Sequence, residues 1–381
     1  MMTTDLTKSE LYIHIPFCVK KCLYCDFLSF PADEKTKERY IEALCDELMY
    51  IGCERAENPL RSVFIGGGTP SVLSAEHIVR VMDTVKERFT LEEDAEITIE
   101  CNPGTLEEEK LKAYKECGIN RLSLGLQSSH EKELKTLGRI HTYEDFVSCI
   151  RMAENADFDN INVDLMSGLP GQTASSFEET LRKVCTLSDC IKHISAYSLI
   201  VEEETPFGQM YEDGQLNLPD EDEDREMYHM TTRILSEYGF ERYEISNYAR
   251  PGFECRHNIG YWTGVDYYAA GLDAASFYGH CRYSNTPDME EYLKDPISAP
   301  SLIEKLDQSG LMSEYMILGL RLTSGVSVSG FEKRFKTGIF DVYGKEIDRF
   351  IQDGLLDHAG DNIKLSEKGL DLANFVMRAF I

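Results

Sequence analysis

Short apolar, β-branched runs alternate with amphipathic stretches of helical period through the first half of this chain, and that alternation limits its architecture more than any other feature. Strands that return in the same direction need a covering helix between them, so repeated β-α units imply a parallel sheet buried on both faces. Six units are legible, with strands expected over Leu11–Ile15, Ser62–Ile65, Glu96–Glu100, Arg121–Gly125, Asn160–Leu165 and His193–Leu199. Between the first two, Ile41, Leu44, Leu48 and Ile51 make one apolar helix face with Gly52 behind it. Thr105 to Glu108 spells a capping box ahead of a helix ending near Gly118. Six units in about 190 residues fall short of the roughly 250 of a closed eight-unit barrel. The expectation is an α/β fold, an open, partial (β/α)6 barrel of TIM type over residues 1–200, with one side free for a large substrate.

Beyond Leu199 the pattern changes. Residues 201–300 read as an appendage to the barrel, with one helix near Glu221 to Tyr238 that opens on Pro219 and the acids Asp220 to Asp224, where carboxylates favour the helix dipole. Residues 301–381 run as helices over 312–320, 328–335 and 342–352, a β-like stretch to Leu365 and a last helix, the order of a winged-helix-like α+β domain. Such folds often bind DNA, but charge here is mixed and points to a packing or protein-contact module. The formal net charge of −28 also argues against nucleic acid, which clustered Lys and Arg would have to hold. No apolar run approaches the roughly 20 residues of a membrane span. Met1 to Glu10 lacks a basic stretch followed by an apolar one, so no signal peptide is expected and the chain reads as cytoplasmic.

Twelve cysteines in such a chain are free thiols or metal ligands sooner than a disulfide framework. Cys45, Cys117, Cys149 and Cys185 fall in helix-like segments as small buried residues. Cys18, Cys22 and Cys25 alone cluster tightly, as C-x3-C-x2-C directly after the first strand, at the end where parallel α/β folds carry their chemistry. A closed structural zinc site wants four protein ligands. Asp26 is near, and so is His14, which shares strand parity with Tyr12 and points into the barrel. A 4Fe-4S cluster held by three cysteines instead keeps one iron open to a further ligand.

Other loops add polar groups at the same end. Gly66-Gly67-Gly68-Thr69-Pro70 follows strand two, either as a tight turn or as a place where backbone approaches a ligand without a Cβ in the way. Glu100, Gln127, Arg139 and Asp164 lie at or near the ends of strands three to five. A carboxylate or amide suits ribose hydroxyls, and Arg suits a carboxylate.

Cys18-Val-Lys-Lys-Cys22-Leu-Tyr-Cys25 within a six-unit barrel resembles the radical S-adenosylmethionine superfamily across roughly residues 10 to 200. The resemblance implies a 4Fe-4S cluster on Cys18, Cys22 and Cys25 whose open iron chelates the amino and carboxylate groups of S-adenosylmethionine. An electron from the cluster then cleaves the sulfonium to a 5′-deoxyadenosyl radical, while the protein positions the cofactor and excludes water. By the same resemblance Gly68, Thr69 and Pro70 belong to a methionine-binding motif. Gln127 and Asp164 face the ribose, Arg139 and Glu100 the methionine, and Tyr12 and Tyr24 line the wall beside the cluster.

Tyr12 to Cys18, Ser123 to Ser128 and Asp164 to Gln172 narrow the resemblance to the oxygen-independent coproporphyrinogen III oxidase group, over almost the whole chain. That group holds coproporphyrinogen III dehydrogenases, which decarboxylate their substrate to protoporphyrinogen IX, and heme chaperones of the HemW type. The dehydrogenases resemble C-x3-C-x2-C-x-C after a longer leading segment, whereas Phe27 stands here at the fourth position and ten residues precede Leu11. HemW-type proteins resemble this chain in both respects and carry H-N-x-x-Y-W, here His257-Asn258 through Tyr261-Trp262. The resemblance implies heme as cargo and heme-acceptor proteins as partners, membrane-associated respiratory proteins among them, and leaves a homodimer open. His257 could ligate heme iron, with Cys255 as a thiolate alternative and Tyr261 and Trp262 against the porphyrin; equally, the motif could anchor its loop to the barrel by packing. A barrel with a structural metal and no radical chemistry is a third reading, which the joint placement of these residues disfavours.

Overall fold

The six expected strands, seen in a computed structural model describing residues 8–54, 56–298 and 300–381, run parallel and in chain order. They are β1 Ser9–Ile15, β2 Leu60–Gly67, β3 Leu91–Cys101, β4 Arg121–Gln127, β5 Ile161–Ser167 and β6 Ile191–Ser198. Part of the stretch that bears on a leader segment, residues 1–7, lies outside the described residues.

Strand parity sorts the side chains. Leu11, Ile13 and Ile15 of β1, Val63 and Ile65 of β2, Ile99 of β3, and Leu122 and Leu124 of β4 are fully buried in one core with the covering helices. The helix Glu34–Glu54 contributes Ile41, Leu44, Leu48 and Ile51 from one face. Burial of each such aliphatic side chain stabilises by roughly 1.5–3 kcal/mol. Residues of the other parity form a polar interior. Register places Glu10 beside Ser62 and Ser62 beside Glu96 at the amino end, and Tyr12 beside Phe64 one layer up. Nearer the carboxyl end Glu100 stands beside Ser123, and Ser123 beside Asn162. A barrel lined this way is not filled by an aliphatic core.

The capping box at Thr105 does not form. The helix begins later, at Glu108, with Glu107 as a cap that makes no side-chain bond. The Thr105 hydroxyl instead donates to the Asn102 carbonyl at 2.7 Å and meets Ser71 Oγ at 2.6 Å, tying the loops after β2 and β3 together. The acidic helix does open as expected: Asp220 caps Glu221–Glu237 by accepting the Glu223 amide.

The region read as an appendage continues the sheet at both edges. β7 Glu241–Arg242 and β8 Asn247–Ala249 add antiparallel beyond β6, while β9 Tyr267–Ala270 pairs parallel with β1. β10 Ala275–Tyr278 and β11 Cys281–Ser284 extend that edge, and β12 Ser301–Lys305, from the stretch read as the start of the C-terminal domain, joins them to complete a sheet of twelve strands. The C-terminal unit packs the helices Gln308–Gly319, Val328–Phe335 and Ile339–Gln352 with β13 Val326–Ser327, β14 Leu356–Ala359 and β15 Asn362–Leu365. Its own core includes Met316, Phe331, Ile347 and Phe350. Among the described residues no helix is long and apolar enough to cross a membrane.

Candidate functional site

The cysteine loop leaves β1 and returns on itself: the Cys18 amide donates to the Phe30 carbonyl at 3.1 Å and the Phe30 amide to the Pro16 carbonyl at 2.9 Å. It is pinned from two further sides. The Leu23 amide donates to Leu137 O at 3.0 Å, and Leu23 O accepts the Phe207 amide at 3.0 Å. Cys18, Cys22 and Cys25 are each half-buried on this loop. Among the described residues no three His, Cys, Asp or Glu side chains gather as they would around a single ion. The ligands of a four-iron cube bind different irons, so the cube itself holds them apart. Three accessible thiols on one braced loop are the donor set that such a cluster needs. Burial raises the Cys25 thiol, which its neighbours Cys22 and Cys18 reinforce, so loading a metal must release protons.

The glycine loop seats against the cysteine loop. The Gly68 amide donates to Ile15 O at 2.9 Å and the Thr69 amide to Phe17 O at 2.7 Å. A Cβ on Gly68 would come within 2.7 Å of the Phe17 carbonyl and 3.1 Å of the Cys18 sulfur, so only glycine fits. The Gly67 amide, at a φ of 112°, donates to Glu100 Oε2 at 3.0 Å. All three amides are engaged, so any backbone group that these residues offer a ligand must be a carbonyl, an acceptor suited to an amine. Pro70 opens the buried 3-10 turn Pro70–Val72 that fixes the loop's exit.

Arg139 joins the elements. Its Nη1 donates to Asn102 Oδ1 at 2.8 Å and its Nη2 to the Tyr24 hydroxyl at 3.3 Å, while Nε is buried without a partner. Arg139 also lines the cleft beside Cys22, where a guanidinium suits a carboxylate. Gln127 closes β4 at a φ of 70°, a strained value for a residue with a Cβ, next to a register shift; its Oε1 accepts the Tyr197 hydroxyl at 3.4 Å. Asp164 accepts from Asn162 Nδ2 at 2.7 Å and from the Ser123 hydroxyl at 3.4 Å. Burial and the charge of Asp164 push the Glu100 carboxyl up to about 8, and burial raises Asp164 as well. A carboxyl held protonated by burial and by a neighbouring carboxylate would be relieved by a sulfonium.

Asn102 and Tyr197 escape a reading by residue type alone; their signal was position, one just past β3 and the other inward on β6. Tyr12 lies deeper than the cluster wall expected for it. Its hydroxyl meets His14 Nδ1 at 3.0 Å, and His14 Nε2 in turn meets Leu28 O at 3.2 Å, so Tyr12 reaches the cysteine loop through His14. His14 is thereby engaged at both ring nitrogens.

The H-N-x-x-Y-W motif lies at the opposite, amino end of the barrel. His257 is 1 % exposed; its Nδ1 meets Ser62 Oγ at 2.9 Å, its Nε2 meets the Tyr261 hydroxyl at 3.0 Å, and its ring stacks on Phe64 at 5.2 Å. Burial, with Arg61 and Arg121 nearby, lowers it to about 3, so it is neutral at physiological pH. Glu96 accepts the amides of Arg256 and His257 at 3.1 and 3.3 Å, a carboxylate at the start of the helix Arg256–Thr263. Cys255 is fully buried and its thiol pushed up to about 12. Trp262 stacks under Arg321 of the C-terminal unit at 4.2 Å. In this arrangement the motif plugs the barrel and joins it to the C-terminal unit, and neither His257 nor Cys255 presents a ligand atom at a surface.

Comparison with known proteins gives the chain a family. The radical SAM superfamily model matches residues 12–184, and the HemN C-terminal domain model matches 306–372. The chain is 38 % identical to the heme chaperone HemW of Lactococcus lactis, over 98 % of this chain and 97 % of that one. It is 34 % identical to the heme chaperone HemW of Bacillus subtilis, over 97 % and 98 %. In fold it is similar to the coproporphyrinogen III oxidase HemN of Escherichia coli, a radical SAM enzyme, with a TM-score of 0.84 at 24 % identity, covering 97 % of this chain and 89 % of that one. The fold is thus common to HemN, whereas end-to-end sequence similarity runs to the chaperones: the chain belongs to the HemW family of the radical SAM superfamily.

Proposed function

We propose that this chain is a heme chaperone that binds heme and delivers it to acceptor proteins, with a 4Fe-4S cluster on Cys18, Cys22 and Cys25 and S-adenosylmethionine in the barrel mouth. The observation that carries this is the likeness, over nearly the whole of both chains, to proteins named heme chaperone HemW. Phe27 supports it, since it stands where the dehydrogenases resemble a fourth cysteine. Superfamily membership implies the cluster and the cofactor. When bound, they supply one-electron cleavage of a sulfonium; the chain's own residues position and shield them. In this proposal Arg139 faces the methionine carboxylate, Glu100 and the Gly68–Pro70 loop face the amine, and Gln127 and Asp164 hold the ribose. Tyr24 walls the cluster side beside Arg139, with Tyr12 behind His14. Acceptors would be met in the cytoplasm or at a membrane surface.

Anaerobic reconstitution with iron and sulfide, followed by parallel heme titration and assay with coproporphyrinogen III, S-adenosylmethionine and a reductant, tests the proposal. A heme complex with no protoporphyrinogen is the expected result. Turnover of coproporphyrinogen III would establish the dehydrogenase instead, a reading that otherwise rests on likeness of fold.

A further inference from the structure

Among the described residues of the barrel, 8–200, the large apolar side chains left exposed are Val19 at 58 %, Phe27 at 63 %, Ile140 at 61 % and Ile200 at 70 %. All four lie on segments that meet at the cysteine-bearing end. Val19 and Phe27 flank the cysteines, and Ile140 follows the turn that Leu137 ties to Leu23. Leu199 and Val201, either side of Ile200, pack in one small apolar cluster with Leu23, Tyr24 and Leu137. A cleft lined by Val19, Lys20, Cys22, Thr69, Arg139 and Ile140 opens between the cysteine loop and the stretch after Leu137, on the side of the loop after β2. An apolar rim around a polar mouth is the mark of a ligand surface rather than of ordinary exposure.

Charge on the rim is uneven. Lys20 and Lys21 are exposed between Val19 and Cys22, in a chain of net charge −28, while Glu202, Glu203 and Glu204 are exposed just beyond Ile200. A flat apolar ligand carrying carboxylates on one edge would be drawn by the lysines and turned away by the acids, so it can lie on this rim in one orientation. Heme has that shape and that charge distribution. At the other end of the barrel His257 and Cys255, the alternative iron ligands, are enclosed.

We propose that the heme cargo lies across the cluster-bearing mouth, its ring on Val19, Phe27, Ile140 and Ile200 and its propionates toward Lys20 and Lys21. This rests on the heme-chaperone proposal above and gives its cargo a place. On this geometry cluster and cargo are neighbours, and Phe27 is part of the heme seat.

The test is titration of ferric heme into the full-length, cluster-loaded chain, read by the Soret band. Ile140→Ser combined with Ile200→Ser, both outside the cysteine loop, weakens binding roughly tenfold or more, with the cluster absorbance unchanged. Ile303→Ser, which removes an equally exposed apolar side chain away from the mouth, leaves heme affinity as it was. Lys20→Glu with Lys21→Glu weakens binding of heme but not of its dimethyl ester, whose propionates are blocked. Rim variants that bind like wild type, or an Ile303→Ser variant that loses as much as they do, overturn the site. A wild-type chain that binds no heme overturns the chaperone proposal itself, a separate outcome.

Discussion

Glu100 makes the cofactor site testable through protons. Its Oε2 accepts the Gly67 amide, and burial together with Asp164 pushes the carboxyl up to about 8 from 4.5. At pH 7 a group of that pKa is about 90 % protonated, and ionising it costs about 1.4 kcal/mol. S-adenosylmethionine brings a sulfonium and amine N–H groups, both of which favour the carboxylate. Binding should therefore strip Glu100 of about 0.9 proton at pH 7 and about 0.5 at pH 8. Anaerobic calorimetry of cofactor binding in two buffers of different ionisation enthalpy counts these protons. Because an amine that chelated iron would lose a proton of its own, the informative quantity is the difference between wild type and Glu100→Gln. If the variant releases as many protons as wild type, Glu100 does not face the cofactor. The same shift has a consequence for the ligand-free chain. A raised carboxyl gives stability that is fully present below 4.5 and lost as pH climbs through about 8. Between pH 5 and 8, ligand-free wild type should lose melting temperature relative to Glu100→Gln.

Cys22→Ala should abolish the cluster's visible absorbance after reconstitution; survival of the band would refute the ligand set. Gly67→Ala would set a Cβ 2.6 Å from the His14 ring at a φ of 112°. It should destabilise the chain by about 1–3 kcal/mol and weaken cofactor binding, as read by melting temperature and titration. His257→Ala removes a buried ring with partners at both nitrogens, an expected loss of about 2–4 kcal/mol that thermal unfolding would register, while the cluster spectrum stays intact.

Much of the barrel was legible because parity and period act locally. Apolar residues at Leu11, Ile13 and Ile15 force Tyr12 and His14 to the other face whatever lies elsewhere in the chain. The cysteine triplet was legible for the same reason, since its spacing alone brings three thiols onto one loop. Thr105 misled because a hydroxyl three residues before Glu108 also suits a turn, and the choice was made by Ser71 and Asn102, one of them more than thirty residues away in sequence. The strands added at both edges could not be read either: β8 has three residues and β9 four, too short for a period to show, and their partners are remote.

The two ends of the barrel show why residue type underdetermines role. His14 and His257 are both buried imidazoles beside aromatic residues, and either could pass in sequence for a metal ligand. In the fold each has both nitrogens engaged, one bracing the cysteine loop and the other closing the amino end. What separates a ligand from a brace is a spare donor or acceptor facing open space. The cysteine thiols at the mouth are half-exposed, and Arg139 lines the cleft beside Cys22. His257 and Cys255 are enclosed and bonded. Chemistry should therefore concentrate at the carboxyl end, and the H-N-x-x-Y-W motif should affect heme only through stability. A His257→Asn variant that stays folded should bind heme as wild type does; selective loss of the Soret band in that variant would show that the helix Arg256–Thr263 opens to let the imidazole reach iron.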